Sequence, residues 1–146
     1  MPNVTSGTAA DAKAVYIRTS TTDQDGAAQL HALHRAAGAR GWASVLEYKD
    51  LGHSGAKAHR PALDALRRAA KEGKVRQVMV FALDRLGRSL RDLLLLMDEL
   101  TAAGCVVISL RESIDLSTPT GRLLVHLIAA LAEFERELMS VTRRRP

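Results

Sequence analysis

Aromatic residues are scarce: Trp42, Tyr16, Tyr48, Phe81 and Phe134 are all that 146 residues contain. Rings so few and so scattered cannot build the stacking platform on which a single-strand nucleic-acid binder lays successive bases. One cysteine, Cys105, excludes an intramolecular disulfide and suits a reducing compartment, so the expected location is cytoplasmic. It falls in an apolar segment, where a thiol serves as a small core residue rather than a reactive group. No apolar run approaches the ~20 residues that a membrane-crossing helix needs. The opening MPNVTSGTAADAK has neither a basic start nor an apolar core, so neither a secretory signal nor a membrane partner is expected. Missing too are a glycine-rich phosphate cradle and a carboxylate cluster able to hold Mg²⁺. Histidines offer a rival metal reading, with His53 and His59 in one loop and His31 and His34 three apart on a helix. A zinc site needs more ligands in a plausible geometry, so the expected metal and cofactor content is none.

What is present suits a globular domain. Apolar residues make up 47% and charged residues 25%, a balance that separates the chain from disordered sequences. At this length folding buries about 68–70% of the unfolded surface, enough for a core without a disulfide or metal staple. Net charge is +5, and 16 of the 21 basic residues are arginine. Guanidinium groups grip phosphate bidentately, so the bias favours an anionic partner such as nucleic acid, against the plainer reading of coding bias in an alanine-rich chain.

Strand-like and helix-like segments alternate. Residues 1–13 are small and polar and read as a tail. A strand is predicted at 14–18, a helix at 25–40 closed by Gly38 and Gly41, and a second strand at 43–48. A glycine-bearing loop follows at 49–60. Pro61 opens a helix with Leu63, Leu66 and Ala70 on one face, ending at Gly73. Residues 77–83 (QVMVFAL) read as a buried strand, Ser89 as the cap of a helix over 90–103, and 105–110 as a fourth strand. This order predicts an α/β fold with a mainly parallel four- or five-stranded sheet flanked by helices. In such sheets ligands gather beyond the carboxyl ends of the strands, where residues 18–20, 50–60 and 84–88 fall. From 120 to about 142, Leu124, Leu127, Leu131, Phe134, Leu138 and Val141 recur every three or four residues, like a coiled-coil seam. One face of this long helix can pack on the sheet, and the rest points to dimerisation.

Three local patterns carry chemistry. Tyr16-x-Arg18-x-Ser20 runs off the first strand and places a possible nucleophile beside a phosphate-binding group; it also reads as a turn serine and a solvated arginine. Asp84-Arg85-x-x-Arg88 sets two arginines at a helix N-terminus, able to meet one phosphate from one side; it also reads as an ordinary helix start. Ser54 and Arg60 sit in the glycine-bearing loop with a weaker signal.

Together these segments resemble the serine site-specific recombinases (resolvases and invertases). The resemblance runs through YIRTSTTDQ at 16–24, Gln29, KDLGHSG and HRPAL within 49–63, ALDRLGRSLRDLL at 82–94, SLRESIDLSTPTGRLL at 109–124 and ALAEFERELMS at 130–140. It implies a catalytic domain over 14–119, a long dimerisation helix with a basic end over 120–146, and a flexible tail over 1–13. Ser20 then matches the nucleophile that joins a DNA 5′ phosphate, and Arg18, Arg60, Arg85 and Arg88 match the arginines around the scissile phosphate. Asp84 matches the acid beside them, and Tyr16 and Gln24 match supporting positions. Gln29, Asp50, Ser54 and Arg136 match phosphate-contacting or supporting positions. Leu124, Leu127, Leu131, Phe134 and Leu138 become the dimer interface. The implied partners are the phosphate backbone of double-stranded DNA at a crossover site, and further copies of the chain in a homodimer and a synaptic homotetramer, at the bacterial nucleoid.

The implied chemistry fits these residue types. Hydroxyl attack builds negative charge on phosphate oxygens, which positioned guanidinium groups stabilise in place of a metal. An arginine stays protonated and makes a poor base, so the acceptor of the Ser20 proton is open, with Asp84 a candidate if it lies within hydrogen-bond reach. Family members carry a DNA-binding module after the long helix; none is expected within these residues, which end Arg143-Arg144-Arg145-Pro146. The family's Ser-Glu-Arg-Thr is here Ser140-Val141-Thr142-Arg143, without the acid, which bears on dimer–tetramer regulation. Two other readings remain beside the recombinase: a non-catalytic oligomerisation module that pairs with intact relatives, and a generic serine phosphodiesterase.

Overall fold

The structure, a computed structural model, describes residues 12–19, 23–51, 60–87 and 89–144. The chain runs β1 (Lys13–Thr19), α1 (Asp23–Ala39), β2 (Leu46–Leu51), α2 (Pro61–Lys71), β3 (Gln77–Val80), a single 3-10 turn (Leu83–Arg85), α3 (Leu90–Ala102), β4 (Val106–Ser109), β5 (Ile114–Asp115) and α4 (Pro119–Arg144). The strands form one sheet in the order β2-β1-β3-β4-β5. The first four are parallel and β5 returns antiparallel on β4. This is the mainly parallel α/β fold that the alternation predicts.

Helices cover both faces of the sheet, which is why its central strands are apolar throughout rather than alternating. On one face Leu33 and Ala37 of α1 pack with Val15, Ile17, Met79 and Ile108. On the other, Leu63, Leu66 and Ala70 of α2 and Leu93, Leu96, Met97 and Leu100 of α3 pack with Ala14, Tyr16, Val78, Val80 and Val107. Cys105 lies in this second core, and burial pushes its thiol up to about 11. Ser89 caps α3, its Oγ accepting from Asp92 N at 3.1 Å. α2 and α3 close at Gly73 and Gly104, where the sequence places their ends.

The strand boundaries differ from the sequence reading in one instructive way. β2 pairs with β1 from Ala14↔Leu46 to Thr19↔Leu51, so Lys49 and Asp50 are strand residues and residues 43–45 are not. Polar Lys49 and Asp50 mimic a loop, but the parallel register and the bonds made by Asp50 hold them in the ladder. β3 stops at Val80, because Leu83 already begins the 3-10 turn.

Strand order creates the site. From β1 the chain moves outward to β2, then crosses back to β3 on the other side of β1. The carboxyl ends of β1 and β3 therefore flank a topological switch point, where open parallel sheets bind ligands.

α4 begins on the domain and then leaves it. Its first turn lies so close to Asp115 O that a Cβ on Gly121 would collide with that carbonyl. Gly121 and Val125 are buried, yet Leu124, Leu127, Leu131, Phe134 and Leu138 are all exposed, Leu131 by 63%. Among the described residues the helix packs mainly by its start, against β5 and α3, and the rest of its apolar stripe is exposed.

Candidate active site

Side chains two apart on a strand share a face, so Tyr16 and Arg18 of β1 and Tyr48 and Asp50 of β2 all turn towards α2. Arg18 and Asp50 are direct register partners. Asp50 is buried, and its carboxylate organises the corner. Oδ2 accepts from the Tyr16 hydroxyl at 2.8 Å and from Leu63 N at 3.0 Å, and Oδ1 accepts from Ala62 N at 2.8 Å. Those amides belong to the first turn of α2, whose N-cap Arg60 supplies no side-chain acceptor. Asp50 thus caps a helix that begins eleven residues further along the chain, and the positive end of that helix favours its charge. Burial raises the Tyr16 hydroxyl well above the usual tyrosine range, and the hydrogen bond to Asp50 raises it further. Tyr16 is therefore a fixed neutral donor near pH 7.

Arg60 joins this corner to the next. Its buried guanidinium donates through Nη1 to Leu86 O and through Nη2 to Arg85 O at 3.1 Å, and its Nε has no hydrogen-bond partner among the described residues. Burial lowers its pKa, with Tyr16 acting the other way and Arg18 adding to the fall. An arginine remains charged even so. Arg60 thus holds the carboxyl side of the turn that carries Asp84 and Arg85, and this role in the backbone was not readable from the sequence.

Asp84 is exposed. It pairs with Arg111 Nη1 at 3.4 Å and with Arg85 Nε at 3.7 Å. Gly87 follows, fixed by the approach of α3: a Cβ there would lie 2.6 Å from Leu93 Cα. Three groups that sequence reasoning missed meet this turn from the far side. Glu112 accepts from Leu83 N, Ser109 Oγ donates to Glu112, and Arg111 stacks 5.4 Å from the Phe81 ring centre.

Of the residues singled out from sequence, Tyr16, Arg18, Asp50, Arg60, Asp84 and Arg85 gather around the switch point. Gln29 is buried in α1. Arg136 is exposed ~25 Å along α4 from Pro119, at 1.5 Å per residue, and joins none of them among the described residues. Ser20, Ser54, Arg88 and the side chain of Gln24 lie outside the described residues, as do His53 and His59. His34 pairs with Glu47 at 2.6 Å.

In a doubly wound α/β domain ligands gather where the parallel strands end, and here arginines lie at that place. Residues 13–145 match the family model for the resolvase N-terminal domain, and the chain belongs to that family. It is 44% identical over 124 residues to a DNA-invertase of Escherichia phage P1, an alignment covering 85% of this chain and 62% of the relative. With the serine recombinase gin of Escherichia phage Mu the identity is 40%, over 85% of this chain and 60% of the relative. The chain thus spans about six-tenths of the length of these relatives. Among solved structures, the N-terminal catalytic domain of TP901-1 integrase superposes with a TM-score of 0.74 at 42% identity, covering 86% of this chain and 97% of that one.

Proposed function

We propose that the chain is the catalytic domain of a serine-type site-specific DNA recombinase, cutting, exchanging and rejoining strands through Ser20. Ser20 Oγ attacks a backbone phosphorus; the P–O3′ bond breaks, and the departing oxygen takes a proton to become a 3′ hydroxyl. The DNA 5′ phosphate stays on Ser20. Rejoining reverses the step: a 3′ hydroxyl attacks the phosphoserine and Ser20 Oγ leaves with a proton. Ester is exchanged for ester, so no ATP is required, and guanidinium groups take the place of a metal in balancing phosphate charge. The observation that carries this reading is the meeting of Arg18 and Arg60 at the Tyr16–Asp50 corner, with Arg60 also holding the Arg85 carbonyl, at the end of the strand that leads into Ser20. Asp84, paired with Arg85 and Arg111, orients these two arginines. Arg88, Gln24 and Ser54 complete the proposed phosphate site.

The DNA is double-stranded and held by its backbone, and the protein acts in the cytoplasm at the nucleoid. Homodimers form through Leu124, Leu127, Leu131, Phe134 and Leu138, and two dimers form the synaptic tetramer. The exposed stripe of α4 also favours a second reading, an oligomerisation module without catalysis. One experiment separates the two. The chain, fused to a DNA-binding domain of known site, is given a plasmid with paired sites. The recombinase reading expects exchange that Ser20→Ala abolishes; a fusion that binds its sites and dimerises, yet never cuts, supports the module.

A further inference from the structure

The segment at 109–124 carries much of the sequence resemblance, yet of its polar residues only Arg111, through its pair with Asp84, has a part in the chemistry above. The structure gives another of them a use. We propose that Glu112 is a positioning residue for the turn that presents Asp84 and Arg85, an inference that rests on the recombinase reading for its catalytic meaning.

Beyond Val80 the chain has left the β3 ladder and must reach the 3-10 turn with its amides satisfied. Residues 110–112 run beside it and supply the partners. Leu110 N donates to Val80 O at 3.1 Å, and Arg111 N donates to Phe81 O at 2.9 Å. The next point of this seam is a side chain: both carboxylate oxygens of Glu112 accept from Leu83 N at 3.3 Å. Leu83 opens the turn and is buried, and the preceding Ala82 has no side-chain acceptor, so this amide depends on Glu112. Ser109, buried at the end of β4, donates its hydroxyl to Oε2 and fixes the carboxylate from behind.

The turn is therefore gripped at both ends. Glu112 holds its first amide, and Arg60 holds the carbonyls of Arg85 and Leu86. Asp84 and Arg85 lie between the two grips, so a loosened Glu112 end lets Arg85 swing while the core stays packed. Misplacing a catalytic group by about 1 Å can cost roughly a hundredfold in rate.

Three substitutions test the assignment in the DNA-binding fusion, by single-turnover cleavage at saturating protein. Glu112→Ala removes the acceptor, and a loss of about tenfold or more is expected with site binding unchanged. Glu112→Gln keeps reach and an acceptor without charge, and is expected to cut within a few fold of the parent. Glu112→Asp keeps charge but loses one methylene of reach, and is expected to fall with Ala. Glu99→Gln, which disturbs the surface pairs to Arg67 and Lys71, serves as the control with unchanged rate. A parent-like rate for Ala, or Asp outperforming Gln, overturns the proposal, the second result assigning the effect to charge near DNA. Should Ala fail to fold, the Gln and Asp pair decides alone. Hydrogen exchange of the Leu83 amide, read without DNA, is expected to quicken in Asp and Ala but not in Gln. If the parent itself never cuts, the recombinase reading fails while this exchange still tests the grip, and unchanged exchange in all variants overturns it.

Discussion

Two leucine-rich helices, α3 and the outer part of α4, obey the same three-and-four spacing and meet opposite fates. Leu93, Leu96 and Leu100 of α3 sink into the sheet, Leu100 to 1% exposure. Leu127, Leu131 and Leu138 of α4 stand in the open, and Phe134 is 57% exposed. Periodicity says which side of a helix is apolar and nothing about what covers it. The body of the domain is complete in one chain, whereas α4 carries a face that a second molecule is proposed to cover.

The contrast breaks most sharply with one substitution made in both places. Leu100→Ala is expected to cost about 2–5 kcal/mol in urea unfolding, since it opens a cavity in a packed core. Leu131→Ala in dilute monomer is expected to change stability by no more than about 0.5 kcal/mol, as for other exposed sites. Leu131→Asp leaves the monomer equally folded and is expected to abolish the dimer in analytical ultracentrifugation. Similar losses from the two alanine variants in the monomer would show that α4 folds back on the body.

The active-site corner belongs with the body, which a second pair sharpens. Asp50→Ala strands the Tyr16 hydroxyl and two helix amides, and is expected to cost about 3 kcal/mol or more by the same assay. Tyr16→Phe removes one bond of that set and is expected to cost ~1 kcal/mol. Equal costs would mean that the cap on α2 contributes nothing.

The smallest effect is alkaline. Cys105 ionises near 9.0 in an unfolded chain and about 11 when folded, so only the unfolded state gains from losing its proton between those values. The contribution of the thiol is whole below pH 9 and is expected to fall as pH rises towards 11, with Tyr16 prolonging the fall above 10. Cys105→Ala flattens the first part of that slope, if burial of the thiol is its cause.

The alternation of strands and helices, the Ser89 cap and the apolar stripe of α4 were legible because each is written in neighbouring residues. The limits of β2 were not, since Lys49 and Asp50 look like loop residues until β1 and α2 are set beside them. Tyr16, Asp50 and Arg60 were legible as candidate site residues through their family pattern, but not as the parts that hold α2 and the 84–85 turn. Those bonds join residues 12 to 34 apart in sequence. Glu112 left no local signal at all, because its partner lies 29 residues away. Sequence names chemistry more readily than it names support.

The most direct test of the account is the covalent intermediate itself. The DNA-binding fusion is quenched with denaturant during cleavage, digested, and the DNA-linked peptide sequenced by mass spectrometry. The account expects one adduct, a 5′ phosphate esterified to Ser20, with a free 3′ hydroxyl on the other strand end. An adduct on another residue, a 3′ linkage, or cleavage that persists in Ser20→Ala would contradict it.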